Sequence, residues 1–166
     1  MIASRDASDA PATRQLCTFF VDGLLFGVDV VNVQEVLRHQ ATTPVPLAPA
    51  AVRGLINLRG QIVTAIDVRA RLGLRPRRTE DSPMNVVATT RDGTVSLLVD
   101  EIGDVIEVHE RTFERAPAAM NVTLRAALLG VFDLEGRILL LLDAEEVTAL
   151  GGTCGSRVNE TSTRER

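Results

Sequence analysis

Aromatic side chains are scarce in this chain, which contains no tryptophan, no tyrosine and only five phenylalanines in 166 residues. Proteins that bind single-stranded nucleic acids commonly stack the bases on aromatic rings, and this chain offers few of them. Its net charge of -4 also disfavours association with a phosphate backbone. We therefore expect no nucleic acid among its partners and a hydrophobic core built from aliphatic side chains.

Cysteine and histidine, from which many metal sites and nucleophilic centres are built, are also rare, with two of each in the chain. The cysteines form no CxxC motif, since Cys17 lies in an apolar segment and Cys154 in a glycine-rich one. The simplest interpretation is one buried small hydrophobe and one free thiol. We therefore expect no disulfide and no metal.

Sequence motifs of catalysis are missing as well. The chain has no GxGxxG dinucleotide motif, no P-loop, no GxSxG nucleophile elbow and no HExxH metal-binding motif. We expect no catalytic residues and no cofactor, and hence a protein that is not an enzyme. Two alternatives remain open at this point: a small-ligand-binding barrel, and an enzyme whose carboxylates meet only in the folded chain.

Long hydrophobic runs are absent. The longest apolar run covers residues 138–142, whereas a helix needs about 20 residues to cross a bilayer. The first fifteen residues are charged, small or polar and lack the apolar stretch of a signal peptide. These features predict no export and no direct membrane insertion, and so a cytoplasmic protein.

Short runs of valine, isoleucine, leucine and threonine, separated by turn residues, dominate the sequence and are typical of β-strands. Several of the separating dipeptides end in glycine, which tolerates the positive φ of tight hairpin turns. They are Asp22-Gly23, Arg59-Gly60, Asp92-Gly93 and Glu135-Gly136. The two best helices are short, over 68–72 and 144–150, and each follows an aspartate that can cap its first turn. The fold is therefore predicted to be mainly β with short helices.

An internal repeat emerges when the chain is compared with itself. Residues 54–67 align on 130–143 without a gap, at an offset of 76. A weaker match places 19–36 on 88–108, with Asp22-Gly23 opposite Asp92-Gly93. Two halves of about 60 residues are each small for independent stability, so we expect them to share a core. Antiparallel hairpins of this length close most economically into small barrels, which also hides their edges.

The predicted organisation is one folded unit over 15–150, formed by halves at about 15–74 and 84–150. The segment 75–83, RPRRTEDSP, has the charge and proline content of a loop between the halves. The ends, 1–14 and 151–166, are predicted to be polar, disordered tails.

The repeat separates residues that the scaffold requires from residues that differ for other reasons. Glycines and aspartates found in both halves are interpreted as structural, at a strand entry or close packing, a hairpin turn and a helix cap. These are Gly54, Gly60 and Asp67 in the first half, and Gly130, Gly136 and Asp143 in the second. Arg59 differs, because Glu135 occupies its turn position in the second half. Arg59 is therefore either a solvated turn residue or a binding residue held on a rigid turn.

Four ordered segments of the chain resemble the CheW family of chemotaxis coupling proteins, over about residues 15–150. They are FFVDGLLFGVDVVNVQEVLR, APAAVRGLINLRGQIVTAIDVRARLGL, VDEIGDVIEV and LLGVFDLEGRILLLLDAEEV. The resemblance implies two SH3-like five-stranded barrels, related by internal duplication and packed across a hydrophobic groove. No receiver domain is recognised after residue 150, which disfavours a two-domain CheV-like adaptor.

The same resemblance implies a non-catalytic adaptor of chemotaxis signal transduction. Its partners would be the histidine kinase CheA, through the kinase's own CheW-like regulatory domain, and the cytoplasmic hairpin tips of methyl-accepting chemoreceptors. Such a protein would associate with membrane-bound receptor arrays through these partners and be a monomer or self-associate weakly. The resemblance leaves open whether the pathway controls flagella or has another output.

Two contact surfaces are also implied by the resemblance. Residues implied at the kinase contact are Val33, Glu35 and Arg59. Residues implied at the receptor contact are Arg59, Val86, Val87, Ile102 and Val105. For the apolar residues the alternative is an ordinary place in the hydrophobic core.

Overall fold

The computed structural model describes residues 12–78 and 80–149, so most of the two predicted tails, and Cys154, lie outside the described residues. The described residues form eleven strands and three short helices. The strands are β1 (Thr13–Val21), β2 (Leu24–Asp29), β3 (Val33–Leu37), β4 (Val52–Leu58), β5 (Gln61–Asp67), β6 (Met84–Thr90), β7 (Gly93–Val99), β8 (Glu101–His109), β9 (Phe113–Glu114), β10 (Leu128–Leu134) and β11 (Arg137–Leu142). The helices are α1 (Val68–Leu72), α2 (Val122–Ala126) and α3 (Ala144–Thr148).

The strands form two sheets, which confirms the prediction of a mainly β fold with short helices. A six-stranded sheet has the order β8-β1-β2-β11-β10-β9, and a five-stranded sheet has the order β3-β6-β7-β5-β4. The sixth strand is the two-residue β9, which pairs with the edge of β10. Its counterpart in the other sheet is a single bridge between Thr43 and Leu55, so the two sheets differ little in plan.

Each sheet is assembled from both parts of the sequence. The hairpin β1-β2 joins the late strands β8 to β11, whereas the hairpin β6-β7 joins the early strands β3 to β5. Both hairpins are attached by parallel pairing, β2 with β11 and β7 with β5. Because each sheet contains strands from both sides of the repeat, neither sheet can form from one half of the chain alone.

The strong repeat is reproduced in the hydrogen-bond register. β4 pairs with β5, and β10 with β11, at positions that differ by 76 residues throughout and include the same bulge near the start. Both turns have positive φ at their two central residues, 54° and 88° at Arg59 and Gly60, and 31° and 94° at Glu135 and Gly136. A glutamate is therefore compatible with the backbone that Arg59 adopts.

The weaker match is shifted by one residue at its turn. The hairpins β1-β2 and β6-β7 superimpose at an offset of 69, which takes the closing pair Val21 and Leu24 to Thr90 and Gly93. The turn Asp22-Gly23 therefore corresponds to Arg91-Asp92, and its alignment with Asp92-Gly93 is wrong. The physical reason is that the Asp-Gly pair lies wholly inside the first turn, whereas in the second hairpin the glycine already begins the strand.

The central strands are buried on both faces, so alternate side chains enter different cores. In β11, Leu140 and Leu142 join a core shared by both sheets, while Leu139 and Leu141 fill the interior of the six-stranded sheet. Each buried leucine contributes on the order of 1.5 to 3 kcal/mol, which explains the uninterrupted apolar run. The shared core also includes Phe19 and Phe26, and a smaller cluster lies within the five-stranded sheet.

Aspartates cap two of the helices as predicted from their position. Asp67 accepts a hydrogen bond from the Arg69 amide, and Asp143 accepts from the amides of Glu145 and Glu146. Helix α2, which was not predicted, begins after Asn121, whose side chain provides its cap. None of the helices in the described parts of the chain is long and apolar enough to cross a membrane.

Candidate functional site

The β4-β5 turn brings Arg59 into contact with Glu35 on β3. Arg59 Nη2 donates a hydrogen bond to Glu35 Oε2 at 2.9 Å. β3 and β4 are the two edge strands of the five-stranded sheet, so the sheet curls enough for a side chain on the β4-β5 turn to reach the opposite edge. The turn itself is held by Asn57, whose Oδ1 accepts a hydrogen bond from the Gly60 amide at 2.9 Å.

Exposure distinguishes the two members of this pair. The Arg59 side chain is 79% exposed and that of Glu35 only 20%, so the guanidinium projects from the surface while the carboxylate anchors one end of it. An exposed pair of this kind stabilises a fold by no more than about 1 kcal/mol. Its main effect is to restrict the orientation of a charged group, which is a requirement for recognition of a partner.

Apolar side chains surround the same turn. Ile62, the second residue after the turn, is 60% exposed, and Val36, next to Glu35, is 37% exposed. Val33 is half-buried and packs against the shared core. The structure therefore brings together the three residues implied at the kinase contact, Val33, Glu35 and Arg59, on one sheet and adds Ile62, which sequence reasoning did not select.

The residues implied at the receptor contact do not form one surface. On β8, an edge strand of the six-stranded sheet, Val105 is 59% exposed and Ile102 is half-buried against the shared core. Val86 and Val87 have no exposed surface, because β6 lies between β3 and β7 and is covered on both faces. Neither valine is accessible to a docked partner, and the alternative of ordinary core applies to both.

The corresponding end of the six-stranded sheet carries the opposite charge. Glu135, Asp133 and Glu107 line one open surface cavity of about 460 Å³. Ile138, the counterpart of Ile62, is likewise exposed, at 50%. The duplication has therefore kept an exposed isoleucine beside both turns, while Glu135 stands where the first copy has Arg59.

A charged cluster that sequence reasoning missed lies where the segment 75–83 crosses the molecule. The Arg77 side chain is 2% exposed, with Nη1 3.2 Å from Asp67 Oδ1 and Nη2 2.9 Å from Asp100 Oδ1. Arg69 Nη2 lies 2.6 Å from Asp100 Oδ2. The segment was predicted only as a polar loop, because its composition gives no indication that one of its arginines is buried.

Hydrogen bonds, mainly from arginine side chains, lower the pKa values of two aspartates in this region. Burial by itself would raise the pKa of Asp100, but hydrogen bonds from Arg69, the Asp22 amide and Arg77 outweigh it and hold that pKa below its ordinary value. The Arg75 guanidinium, 2.8 Å from Asp22 Oδ1, is the main reason that the pKa of Asp22 is also lowered. Asp22 and Asp100 are therefore strongly favoured in their charged form, in which they pair with Arg75 and Arg77 of the segment 75–83.

The described residues contain no group of three or more histidine, cysteine, aspartate or glutamate side chains arranged to hold a metal ion. Cys17 is buried, and burial raises the pKa of its thiol. The features that the structure does present are exposed apolar and charged residues on two sheets with a common core. Together they define a small mainly β protein of two sheets around a shared core, with charged and apolar side chains exposed at turns and edge strands.

Comparison with known proteins gives the family. The sequence model of the CheW-like domain matches residues 15–150. Chemotaxis protein CheW of Rhizobium meliloti (strain 1021) is 34% identical over 134 residues, covering 81% of this chain and 86% of the relative. Chemotaxis protein CheW of Bacillus subtilis (strain 168) is 32% identical over 134 residues, with the same coverage. The chain belongs to the CheW-like family, and it is accordingly a non-catalytic chemotaxis adaptor and not an enzyme.

A solved structure agrees with this fold. The crystal structure of the scaffolding protein TtCheW from Thermoanaerobacter tengcongensis superimposes with a TM-score of 0.76, at 24% sequence identity. The match covers 86% of this chain and 96% of that one. The two-sheet architecture is therefore that of a known CheW scaffold.

Proposed function

We propose that the protein couples the histidine kinase CheA to methyl-accepting chemoreceptors at receptor arrays, using a separate surface for each partner. Relatives named as chemotaxis protein CheW support this assignment. The observation that carries it is the Arg59–Glu35 pair, because it orients an exposed guanidinium on a rigid turn beside exposed apolar residues.

The kinase surface comprises Arg59, Glu35 and Val33, together with Ile62. Among the contacts of the described residues, Arg59 donates one hydrogen bond, from Nη2 to Glu35, and a guanidinium has five N–H donors in a planar fork. Further donors are therefore directed towards a partner's carboxylate or carbonyl oxygens. Ile62 supplies the apolar area that a charged contact needs beside it to exclude water.

The receptor surface comprises Val105 and Ile102 on β8. A receptor tip is a hairpin of two helices, and a helix docks by laying an apolar stripe against an apolar surface. Val105 is exposed, while the half-buried Ile102 connects this surface to the shared core. Val86 and Val87 lie outside the proposed contact because they are fully buried. Arg59 is assigned only to the kinase surface, because its turn belongs to the five-stranded sheet, whereas β8 belongs to the six-stranded sheet.

Binding measured with each partner alone and with both together tests this function. The full chain should bind a fragment containing the CheW-like regulatory domain of CheA, and it should bind a receptor cytoplasmic fragment. With both present, sedimentation should give a ternary complex in which neither partner displaces the other. Competition between the partners would contradict two separate surfaces, and failure to bind either partner would overturn the proposed function.

A further inference from the structure

The two equivalent hairpin turns, between β4 and β5 and between β10 and β11, differ at three exposed polar positions. The residues kept are Leu58, Gly60 and Ile62, which recur as Leu134, Gly136 and Ile138. The residues replaced are Asn57, Arg59 and Gln61, which align with Asp133, Glu135 and Arg137. Both hairpins form in the same register, so the fold of the turn does not require an asparagine at residue 57.

A side-chain hydrogen bond distinguishes the first turn from the second. Leu58 and Gln61 form the last pair of the β4-β5 ladder, which leaves the Gly60 amide without a backbone partner across the hairpin. Asn57 Oδ1 accepts a hydrogen bond from this amide at 2.9 Å. Among the described residues, no side chain accepts from the Gly136 amide, although Asp133 occupies the position of Asn57. The extra bond is therefore present only in the turn that carries Arg59.

Arg59 is consequently held at both ends of its length. The hydrogen bond of Asn57 fixes the backbone of the turn, and the contact of Nη2 with Glu35 Oε2 at 2.9 Å fixes the guanidinium. Ordering a long side chain when a partner binds reduces affinity, whereas a side chain that is ordered beforehand avoids this loss. Two anchors thus prepare an exposed guanidinium for recognition in one orientation.

Asn57 also lies on the outer face of the hairpin and not in the core. Its neighbour Ile56 is buried, while Asn57 and Ile62, which is directly opposite it in the register, are both exposed. Residues directly opposite each other in an antiparallel pair share one face of the sheet. The asparagine therefore contributes no buried apolar area, and it shares a face with the exposed isoleucine of the kinase surface.

We propose that Asn57 is a positioning residue of the kinase surface: by binding the Gly60 amide it holds the turn in the conformation that directs the Arg59 guanidinium towards the partner. The inference rests on the proposed function, because it assigns a role within kinase binding. Asn57 acts through Arg59 and not through a contact of its own. Its contribution to affinity should therefore depend on the presence of Arg59.

Amide hydrogen exchange tests the structural basis, with Gly136 as a control within the same molecule. After correction for intrinsic rates, the Gly60 amide should exchange more slowly than that of Gly136. Asn57→Ala should accelerate exchange at Gly60 by about three- to tenfold and leave Gly136 unchanged, because it removes one hydrogen bond. Equal exchange at both glycines in the unsubstituted protein would overturn the proposal.

A double-mutant cycle with Arg59 tests the role in binding. The fragment containing the CheW-like regulatory domain of CheA is titrated with the unsubstituted chain, Asn57→Ala, Arg59→Gln and the double variant. Asn57→Ala should weaken binding by about two- to fivefold when Arg59 is present, and it should have no further effect beside Arg59→Gln. Asp133→Ala, the same position in the other turn, should leave the affinity unchanged.

The outcomes separate this inference from the proposed function. An equal loss of affinity from Asn57→Ala in both backgrounds would overturn the positioning role, because Asn57 would then contact the partner itself or support the fold. Unchanged affinity in Asn57→Ala, with weaker binding by Arg59→Gln, would overturn the positioning role and leave the kinase surface standing. Failure of the unsubstituted chain to bind the kinase fragment would overturn both.

Discussion

Arg59 and Glu35 are paired at 2.9 Å although they are 24 residues apart, and their contact joins a hairpin turn to the opposite edge strand of its own sheet. Arg59 is largely exposed and adopts positive φ, a backbone conformation that Glu135 also adopts at the equivalent turn. The pair can therefore be altered with little effect on folding, which allows recognition to be tested separately from stability.

Arg59→Asp should abolish kinase coupling without unfolding the protein. Loss of an exposed ion pair costs no more than about 1 kcal/mol, and the equivalent turn already carries a carboxylate. Charge reversal at the centre of an interface should cost at least about 2 kcal/mol of binding. Circular dichroism melting and receptor-stimulated phosphorylation by CheA measure the two effects. Glu135→Arg, the reverse change at the equivalent turn, is the matched control for the fold. Full kinase stimulation by a variant that melts normally would identify Arg59 as a solvated turn residue.

Val105→Lys should weaken receptor binding several-fold while leaving the kinase contact intact, since Val105 is exposed and lies on the other sheet from Arg59. Val86→Lys is the contrasting variant, because a charge placed at a fully buried position should unfold the protein. Titration of a receptor fragment and a thermal melt distinguish the two. If Val105→Lys lost stability together with both affinities, Val105 would be part of the core and not of a contact.

Arg77→Met should destabilise the protein by about 1 to 3 kcal/mol, because Asp67 loses its buried guanidinium while Asp100 keeps its contact with Arg69. Arg75→Met should have a much smaller effect, since the Arg75 side chain is 83% exposed and its ion pair is screened by solvent. Urea titration of both variants provides the measurement. Similar losses in the two would show that burial of Arg77 does not decide its contribution.

Acid should destabilise the protein through Asp22 and Asp100, whose pKa values are lowered in the folded state. A carboxyl with a lowered folded-state pKa stabilises the protein above its unfolded value of about 3.9, and that stability is lost as pH falls through the folded pKa. Asp100→Asn should therefore be less stable than the unsubstituted protein at neutral pH and lose less stability below about pH 4. Urea unfolding at a series of pH values gives the free energy of unfolding of both proteins as a function of pH. Parallel curves for the two proteins would contradict the prediction.

Gly54→Ala should destabilise more than Gly60→Ala. Both glycines have positive φ, but a Cβ at Gly60 would meet no atom within 4 Å, whereas one at Gly54 would collide with the carbonyl group of Thr43. Alanine at Gly60 should cost about 1 to 2 kcal/mol from its backbone conformation alone. Alanine at Gly54 requires a backbone shift in addition. Equal urea midpoints for the two variants would show that the backbone at Thr43 can shift without a loss of stability.

Contacts between residues close in the sequence could be predicted well. The β4-β5 hairpin closes on Arg59-Gly60 because glycine tolerates positive φ, and α1 begins directly after Asp67 because that side chain caps it. The same local rules predicted the second copy 76 residues later. The segment 75–83 was different, since nothing local indicates that Arg77 would be buried between two aspartates.

The sequence by itself determined the mainly β fold, the duplicated hairpin and the position of Arg59 on its turn, because turn and cap preferences act over a few residues. Only the tertiary structure decided that the β1-β2 hairpin joins the sheet of β8 to β11 and that the β6-β7 hairpin joins the sheet of β3 to β5. The reason is that strand order depends on pairing between distant segments. That exchange placed β6 between two strands and buried Val86 and Val87. It also brought Asp100 to Arg77, because burial is a property of the assembled layers and not of the residue type.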